Sequence, residues 1–429
     1  MNTSLTRRDF LKQTSFVTAG LGALGSPALL RAGASPNETV RVAVIGCNGR
    51  GMAHIKAYTA LPAAEVACIC DVDTRAIEKG VRYAERHQQR KPKGAGDLRK
   101  VFEDASIDAV SIATPDHWHA PATILACTHG KHVYVEKPAS HNAHEGELMV
   151  AAAKKYDRVV QLGTQRRSWP WVIEAMEALH GGKLGKLFYA RSWYADHRGS
   201  IGHGKIVPVP RWLNYELWQG PAPETPYHDN VIHYNWHWFW NWGTAELGNN
   251  GVHALDLARW GLQVDVPLRT TCGGNRYHYN DDWETPDTTL AAFDFDHQGI
   301  SWEGQSCDPR GNEGSGFGVN FYGENGTLSI AGNSYRIYDL KQRVLRETKG
   351  NWDDVLHFAN FVDAIRVGKP LNAPIAEGVK STLLCHLGNI AWRSGHTVNL
   401  DPDSCRIVGD EQAAALWRRT YRPGWEPKV

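Results

Sequence analysis

A short apolar run that ends in a glycine-rich loop constrains the fold of this chain more than any other feature. Residues 40–45 (VRVAVI) have the apolar character of a buried parallel strand, and the loop GCNGRG at 46–51 joins them to a helix-like segment. The loop matches the G-x-G-x-x-G pattern of dinucleotide-binding units except that Asn48 replaces the middle glycine, and Asn tolerates positive φ better than most residues. Glycines here let the main chain approach a pyrophosphate at the helix N-terminus. The loop residues expected to contact the cofactor are Gly46, Asn48, Gly49, Arg50 and Gly51.

Asp71 indicates which dinucleotide the loop would hold. It ends the second apolar run, 20 residues after Gly51, where a carboxylate can bind both ribose hydroxyls of NAD. The same charge would repel the 2′-phosphate of NADP, and Arg75 is near enough in sequence to offset part of that repulsion. NAD is therefore the predicted cofactor. The alternative is a tight turn in an α/β domain that binds no cofactor.

Apolar runs, such as residues 132–135, alternate with helix-like segments, such as residues 50–60 and 143–155, through residues 38–162. Such alternation predicts βαβ units and a parallel sheet, the architecture of a Rossmann NAD-binding domain. After residue 162, half-buried strands that alternate polar and apolar residues, expected at about 188–195, 266–272, 288–295, 318–322 and 336–338, are interspersed with helices. Residues 163–429 are therefore expected to form an α+β domain with a mostly antiparallel open sheet, which would bind substrate and hold together a homo-oligomer. The predicted fold class is α/β with these two domains.

The first 34 residues have the pattern of an export signal. The segment TRRDFLK at 6–12 resembles a twin-arginine motif, a weakly apolar stretch rich in Gly and Ala follows at 14–30, and Ala32-Gly33-Ala34 fits a small-x-small cleavage site. We therefore expect recognition by the twin-arginine export machinery, cleavage near Ala34 and a periplasmic or otherwise exported protein. Because this route carries folded proteins, a cofactor acquired in the cytoplasm can leave with the chain.

Composition excludes several classes of protein. The formal net charge is +1, so bulk electrostatics predict no nucleic-acid partner, and no apolar run beyond the N-terminal stretch is long enough to span a bilayer. The eight cysteines include no Cys-x-x-Cys pair, and Cys47, Cys68, Cys70 and Cys127 lie in or beside apolar segments, which favours buried thiols over disulfides. Tryptophan, with 17 residues, is abundant. That excess suits stacking on sugar rings, but a large core also accommodates it.

Two motifs at strand ends connect the chain with a known family. They are ATPDHWH at 113–119 and YVEKP at 134–138, at the sheet edge where ligands bind in such folds. The Glu-Lys-Pro triplet, together with FYGENGT at 321–327, resembles the Gfo/Idh/MocA family, named for glucose–fructose oxidoreductase and inositol dehydrogenase. The resemblance runs from Val40 almost to the C-terminus and implies an NAD(P)-dependent oxidoreductase acting on CH–OH groups of carbohydrates. Cofactor contacts expected beyond the loop are Asp71, Thr114, Pro115, Trp118, His119, Glu136, Lys137 and Gln165.

Lys137 and a histidine of the second domain are the expected catalytic residues. In the family the lysine of the triplet reaches the substrate hydroxyl and the nicotinamide ribose, and a cation there stabilises a developing oxyanion. The family's second element is Asp-x-x-x-His at a helix start, which here reads Asn249-x-x-x-His253. Because an amide accepts no proton as a carboxylate does, His253 is the expected general base and Asn249 the residue that orients a hydroxyl. For His253 the alternative is a main-chain contact, and for Asp256 a structural role is open.

The aromatic segment YNWHWFWNW at 234–242 is the predicted sugar platform. If it is extended, its four tryptophans share one face, and core packing is the alternative. The segment QRR at 165–167 follows the last strand of the first domain and faces the domain junction, where a structural bridge is the alternative to a sugar contact. The expected substrate contacts are Arg166, Trp169, Trp236, Trp238 and His253. The spacing of His228, His233 and His237 fits no specific ligand pattern, so no metal is expected.

These observations predict an exported enzyme that transfers hydride between a tightly bound nicotinamide cofactor and a ring hydroxyl of a sugar or glycoside. Because free NAD is not expected outside the cytoplasm, a second sugar or ketone would regenerate the cofactor within the site. One alternative is a redox-neutral glycosidase that oxidises a ring carbon, eliminates the aglycone, adds water and reduces again, although the His-Gly segment of the exported glycosidase branch is not found here. The other alternative is a binding protein that keeps NAD as a structural element, against which Lys137 and His253 argue.

Overall fold

The computed structural model of the chain describes residues 39–429, so the predicted export signal at residues 1–34 lies outside the described residues. The described range forms a six-stranded sheet and a ten-stranded sheet, with helices packed against both. No helix in this range is long and apolar enough to cross a membrane. The strands are β1 Val40–Ile45, β2 Ala64–Cys70, β3 Lys93–Ala95, β4 Ala109–Ile112, β5 His132–Val135, β6 Val160–Leu162, β7 Leu187–Ala195, β8 Arg269–Asn275, β9 Thr288–Asp294, β10 Gly299–Gln305, β11 Phe317–Gly323, β12 Gly326–Ala331, β13 Ser334–Asp339, β14 Val344–Lys349, β15 Val398–Leu400 and β16 Ile407–Val408. The helices are α1 Arg50–Ala60, α2 Thr74–His87, α3 Leu98–Glu103, α4 Asp116–Thr128, α5 Ala143–Lys155, α6 Pro170–His180, α7 Tyr215–Gln219, α8 Val252–Leu262, α9 Val355–Val367, α10 Ile375–Ser394 and α11 Glu411–Ala415.

The first sheet is parallel throughout, with the strand order β3-β2-β1-β4-β5-β6. Its central strand β1 is apolar except for Arg41, and this composition suits a strand covered on both faces. The strand order reverses between β1 and β4, which opens a crevice at the carboxyl ends of the strands. This is the Rossmann arrangement that the sequence predicts.

The second sheet has the order β14-β13-β12-β11-β7-β10-β9-β8-β15-β16. Its pairs are antiparallel except that β10 runs parallel to β7, so the predicted mostly antiparallel sheet is confirmed. Helices α8 and α10 pack against this sheet over a core that includes Phe293, Trp302 and Phe321. The burial of these rings explains part of the tryptophan and phenylalanine content without any ligand.

Residues 196–246, which we name the covering segment, connect β7 to the turn before α8 and lie against the first sheet's ligand edge. Leu213 forms a β-bridge with Asp73, and the main-chain N–H of Asn214 donates to the oxygen of Val72 at 2.9 Å. The segment has its own apolar cluster, formed by Leu213, Tyr215, Trp218, Ala222, Tyr227, Val231, Trp236 and Trp242. It is therefore a folded layer over the crevice that also belongs to the C-terminal half of the chain.

The structure corrects several element assignments made from the sequence. The aromatic segment 234–242 is not extended, because residues Asn235–Trp238 form a 3₁₀ turn in which the N–H of His237 faces the oxygen of Tyr234 at 3.4 Å. Five strands of the second sheet, β10, β12, β14, β15 and β16, were not predicted, and β8 begins three residues later than expected, at Arg269. The four cysteines predicted to be buried thiols are buried and unpaired, as expected.

Candidate active site

A cavity of about 360 Å³ lies between the carboxyl edge of the parallel sheet and the covering segment. Its floor comes from β1, β2, β4 and β5 with the loops that follow them, and its roof comes from α7 and the turn around Trp236. Most of the sequence-predicted cofactor residues line it, namely Gly46, Asn48, Gly49, Arg50, Asp71, Thr114, Pro115, Trp118, His119, Glu136 and Lys137. Gly51 and Gln165 lie outside the lining.

The glycine-rich loop has the geometry of a phosphate cradle. Gly46 has φ +82°, and a Cβ there would lie 2.6 Å from the oxygen of Ala113, so this position needs glycine. A Cβ on Gly51 would lie 1.9 Å from the oxygen of Gly46, which makes that glycine a packing residue. At Gly49 a Cβ would meet nothing within 4 Å, and no side chain caps the start of α1. The uncapped helix N-terminus therefore presents N–H groups and open space to an anion.

Asp71 stands at the end of β2 with its carboxylate held by the main chain. Its oxygens accept N–H groups of Cys47 at 2.5 Å and Asp73 at 2.9 Å, while burial raises the pKa of the carboxyl group. Arg75 does not point its charge into the cavity, because Asp73 binds its guanidinium at 2.8–3.3 Å and the ring of Trp212 lies 3.4 Å from it. The edge of the cavity at Asp71 is therefore acidic and lacks a free cation from Arg75.

Glu136 is a buried carboxylate that organises the base of the cavity. Its Oε1 accepts from Arg50 Nε at 2.8 Å and Gln165 Nε2 at 2.8 Å, and it lies 3.0 Å from His54 Nε2. Burial alone would raise the pKa of Glu136, but the charge of Arg50 and the bond from His54 bring it well below its usual value. Gln165, which was predicted as a cofactor contact, instead lies outside the cavity lining and donates a hydrogen bond to Glu136. His54 also contacts Glu136, and no sequence motif indicated that residue.

Lys137 reaches across to the C-terminal half of the chain. Its Nζ donates to the main-chain oxygen of Asn249 at 2.7 Å and to the side-chain Oδ1 at 3.1 Å. Asn249 lies in the π-helical turn Leu247–Gly251, and its amide nitrogen faces Glu246 Oε1 at 3.3 Å, which directs Oδ1 to the lysine. Burial lowers the pKa of Lys137, while the carboxylates of Glu136 and Asp116 oppose that shift. A lysine with a lowered pKa releases a proton more readily than an exposed one.

His253 lies one helical turn after Asn249, outside the residues that line the cavity. Burial lowers its pKa well below the usual value, and the charges of Lys137 and Arg166 act in the same direction. Its ring is therefore neutral near pH 7, and Nδ1 is buried with no partner among the described residues. Asp256, one turn later, binds Arg167 at 2.8 and 2.9 Å and is a structural residue.

The predicted substrate residues are distributed over two places. Trp236 lines the cavity, but Trp238 is only 1% exposed and stacks on Trp283 with ring centroids 4.0 Å apart, so it is a core residue. Arg166 and Trp169 lie together outside the cavity lining, with the guanidinium 4.9 Å from the indole centroid. The tryptophan-face prediction fails because a helical turn places successive tryptophans on different sides.

Sequence reasoning missed the cavity residues supplied by the covering segment, among them Trp218, His233, Tyr234 and His237. The His237 ring stacks on Trp236 with centroids 3.6 Å apart, and its Nδ1 faces the oxygen of Tyr234 at 2.6 Å. Burial lowers the pKa of His237 to about 3. In the sequence, only the position of His237 within the aromatic segment 234–242 pointed to a role in the site, and such a position is a weak signal. Among residues 39–429, no cluster of three or more His, Cys, Asp or Glu side chains has the arrangement of a metal site.

Two family models match the chain. One, the Gfo/Idh/MocA oxidoreductase family with an NAD-binding Rossmann fold, matches residues 40–164. The other, the C-terminal α/β domain of the same oxidoreductase family, matches residues 190–285 and 319–427. Together the matched ranges cover well over half of the sequence.

Individual proteins show similarity over shorter ranges. A glycosyl hydrolase family 109 protein of Saccharopolyspora erythraea is 25% identical over 252 residues, covering 52% of this chain and 55% of that protein. The scyllo-inositol 2-dehydrogenase (NAD(+)) of Bacillus subtilis is 31% identical over 163 residues, covering 37% of this chain and 45% of that protein. The chain thus spans about half the length of the curated relatives it matches. The solved structure of levoglucosan dehydrogenase with NADH and levoglucosan superposes with a TM-score of 0.68 at 18% identity, covering 84% of this chain and 99% of the other.

Proposed function

The chain belongs to the Gfo/Idh/MocA family of oxidoreductases with an NAD-binding Rossmann domain, and from this membership we propose that it transfers hydride between tightly bound NAD and a ring hydroxyl of a sugar or glycoside. The observation that supports the proposal most directly is the position of Lys137. Its ammonium group lies at the cavity and bonds to Asn249, at the junction between the two halves of the chain. A substrate held there would meet a cation, an amide oxygen and the cofactor cavity together.

Bound NAD supplies the hydride acceptor, and the chain's own residues handle the proton. Lys137 has one N–H group left after its two bonds to Asn249, and it would donate this group to the substrate oxygen. As the hydroxyl loses its proton, the ammonium charge stabilises the oxygen that becomes a carbonyl. Neutral His253, with Nδ1 unpaired, is the residue that would accept the proton.

Tight cofactor binding is proposed because the cavity is covered. The indole N–H of Trp118 lies 3.1 Å from the main-chain oxygens of Leu217 and Trp218, which closes the covering segment on α4. The C-terminal tail adds Trp425, whose ring meets the edge of Trp118 with centroids 5.6 Å apart. A dinucleotide beneath these contacts would leave only after they break. We further propose, from residues 1–34, that the protein is exported with its cofactor and that a second carbohydrate regenerates it.

The absorbance spectrum of the purified, extensively dialysed protein tests this function. We expect close to one dinucleotide per chain, a band of reduced nicotinamide after addition of a suitable sugar, and loss of that band with a keto-sugar. Initial rates measured with and without added NAD are expected to agree. An empty protein that strictly requires added NAD would refute the bound cofactor. A loaded protein whose spectrum no carbohydrate changes would refute the oxidoreductase activity.

A redox-neutral glycosidase is the second candidate, because the chain is similar to a glycosyl hydrolase family 109 protein. In this case oxidation of a ring carbon by NAD would acidify the neighbouring C–H, loss of that proton would expel the aglycone, water would add to the resulting enone, and return of the hydride to the ketone would restore NAD. Release of an aromatic aglycone from aryl glycosides without added oxidant would support this candidate. Conversion of a glycoside to a keto-glycoside with the aglycone retained would support net oxidation.

We also propose that the protein forms a homo-oligomer through the second sheet. Leu290 on β9 is 62% exposed and Phe188 on β7 is 48% exposed, both on strands of that sheet. Apolar side chains of this size on a sheet face are stabilised when a second copy covers them. Light scattering of the purified protein would show a dimer or larger assembly, and the Leu290→Lys change would shift it toward the monomer.

A further inference from the structure

Arg166 is a cation without a counter-charge beside the proposed catalytic residues. It lies in the 3₁₀ turn Gln165–Ser168, where both neighbouring side chains are satisfied. Gln165 binds Glu136 at 2.8 Å, and Arg167 forms a two-point ion pair with Asp256. The guanidinium of Arg166 makes no hydrogen bond or ion pair with any residue of the described range, although the main-chain oxygen of Arg166 accepts the N–H of Trp169 at 3.2 Å.

The surroundings of Arg166 are aromatic. Its guanidinium carbon lies 3.9 Å from the ring centroid of Phe317 and 4.9 Å from that of Trp169, and Nη1 is fully buried. Burial lowers the pKa of Arg166 to about 10, while the charge of Asp354 opposes the shift. Asp354 does not serve as its partner, because it binds Arg50 at 3.0 Å. The arginine is therefore charged near pH 7, held between two rings, and short of an acceptor.

Two neighbouring polar atoms are also unpaired. The indole N–H of Trp169 and Nδ1 of His253 are buried and have no partner within residues 39–429. Trp352, which is 67% exposed, stacks on Trp169 with ring centroids 6.1 Å apart and an angle of 9° between the planes. The Arg166 guanidinium and the Trp169 indole N–H are donors without acceptors, and beside an exposed indole face they favour a ligand that is rich in oxygen, has an apolar face and carries negative charge. A sugar ring with an acidic substituent has all three properties.

We propose that Arg166 binds an oxyanion on the substrate, so that the enzyme acts on acidic sugars such as uronic acids and their glycosides. This inference rests on the proposed function, because it concerns the sugar that Lys137 and His253 would act on. A guanidinium recognises a carboxylate through two parallel N–H···O bonds, and a sulfate or phosphate ester offers the same oxygens. The rings of Phe317 and Trp169 pack against the guanidinium and offer it no hydrogen-bond acceptor. Its N–H groups therefore remain available to such an oxyanion.

Calorimetric binding to the protein as purified, with its cofactor, tests the proposal without requiring turnover. The probes are D-glucuronate, D-glucose 6-sulfate and D-glucose. We expect both anionic sugars to bind at least about tenfold more tightly than glucose, and the affinity of the two anionic sugars, but not that of glucose, to fall as salt is raised. A higher affinity for D-glucose 6-sulfate than for D-glucuronate would assign the site to sulfated sugars. Equal affinity for all three probes would overturn the proposal.

Variants then assign the preference to one residue. Arg166→Met is expected to weaken glucuronate binding by about ten- to a hundredfold and leave glucose binding unchanged, and Arg166→Lys should retain part of the preference. Arg418→Met, at an exposed arginine of the C-terminal tail, is the matched control. A preference that survives in Arg166→Met would overturn the proposal. If the Met variant does not fold, the Lys variant and the wild-type salt dependence still decide. Binding with no change in the cofactor spectrum would count against the proposed function alone.

Discussion

Lys137 Nζ lies 2.7 Å from the main-chain oxygen of Asn249 and 3.1 Å from its side-chain oxygen. One residue follows a strand of the parallel sheet and the other precedes the helix that packs on the second sheet, so this pair joins the two halves of the chain at the cavity. An ammonium group has three N–H donors, and two of them are used here. The third is fixed in direction and available to a ligand.

Removing the ammonium group is expected to stop turnover without emptying the cavity. Lys137→Ala should lower kcat by on the order of a hundredfold or more, because the developing oxyanion loses its cation and its hydrogen-bond donor. Nucleotide content should persist, because the glycine-rich loop and Asp71 remain. Single-turnover kinetics and quantification of released nucleotide check both points, with Lys341→Ala in the exposed β13–β14 turn as control. Near-normal kcat in Lys137→Ala would show that the active site is elsewhere.

A smaller effect is expected when only the side chain of Asn249 is removed. In Asn249→Ala the main-chain oxygen still accepts from Lys137, so the ammonium group keeps its shorter bond. The loss of the 3.1 Å bond to Oδ1 should lower kcat by about tenfold, less than the lysine change. Comparison of kcat and KM for both variants on one substrate tests the order. A larger loss in Asn249→Ala than in Lys137→Ala would contradict it.

The nucleotide released on denaturation is expected to be NAD(H). A 2′-phosphate would face the Asp71 carboxylate, and Arg75 is bound by Asp73 and does not neutralise that charge. Mass spectrometry of the released nucleotide identifies it. Asp71→Ser should weaken discrimination against NADP in reconstituted protein, whereas the same change at exposed Asp229 should not. Recovery of mainly NADP(H) from the wild type would refute the assignment.

Alanine substitutions at two glycines of the glycine-rich loop are expected to affect different properties, stability in one case and nucleotide binding in the other. Gly46→Ala is expected to lower the free energy of unfolding by roughly 1–3 kcal/mol or more, because φ is +82° and the new methyl group meets Ala113. Gly49→Ala should leave stability nearly unchanged, because open space surrounds that position, and should reduce nucleotide content. Urea denaturation of the nucleotide-free proteins and nucleotide quantification separate the two effects. Equal stability losses would contradict this assignment.

Acid is expected to destabilise the fold through buried neutral histidines. His117 donates Nε2–H to the oxygen of Trp218 at 2.9 Å, and burial, with the charge of Arg419, lowers its pKa to about 3. The unfolded state takes up the proton near its ordinary pKa of about 6.5, so the contribution is complete above that pH and is lost as pH falls toward 3. At about pH 5 the loss from one such histidine is about 2 kcal/mol.

Urea midpoints measured between about pH 7 and pH 5 check this slope. His386, with a pKa lowered by burial to about 3, and His357, lowered to about 4, act in the same direction. His117→Gln should reduce the loss of unfolding free energy between about pH 7 and pH 5 by the roughly 2 kcal/mol attributed to one histidine. His197→Gln, at an exposed position, should leave that loss unchanged. Stability that rises on acidification would contradict the prediction.

The Rossmann half was predictable because buried parallel strands are continuous apolar runs bounded by polar turns. The predicted ranges Arg50–Ala60, His132–Val135 and Ala143–Lys155 coincide with α1, β5 and α5. In the second sheet this signal is weak. The residues of β14 are almost all exposed and have no apolar period, and β10 pairs with β7, more than a hundred residues earlier in the chain. Such strands are specified by their neighbours and not by their own sequence.

The residues of the candidate site also fall into two groups, those that the sequence predicted and those that it did not. Asp71 was found because it ends a recognisable strand 20 residues after the glycine-rich loop, and Lys137 was found because the Glu-Lys-Pro triplet at 136–138 resembles that of a known family. Trp218 and His237 line the same cavity but come from the covering segment, whose path depends on contacts with β2 and α4. Local patterns assigned the four tryptophans of residues 234–242 to one face, and the turn at Asn235–Trp238 places Trp236 and Trp238 on different sides.

The covering segment bears on how the loaded protein is made. It is hydrogen-bonded to the β2–α2 connection at Val72 and Thr74, to α4 through Trp118, and it is continuous with the second sheet through β7. A dinucleotide that arrives after this layer has folded has to displace it, whereas one present earlier is enclosed as the layer forms. If the protein is exported after folding, as proposed above, the nucleotide pool of the compartment in which it folds would set the fraction of active molecules. Expression conditions that change that pool would change specific activity without changing the amount of folded protein.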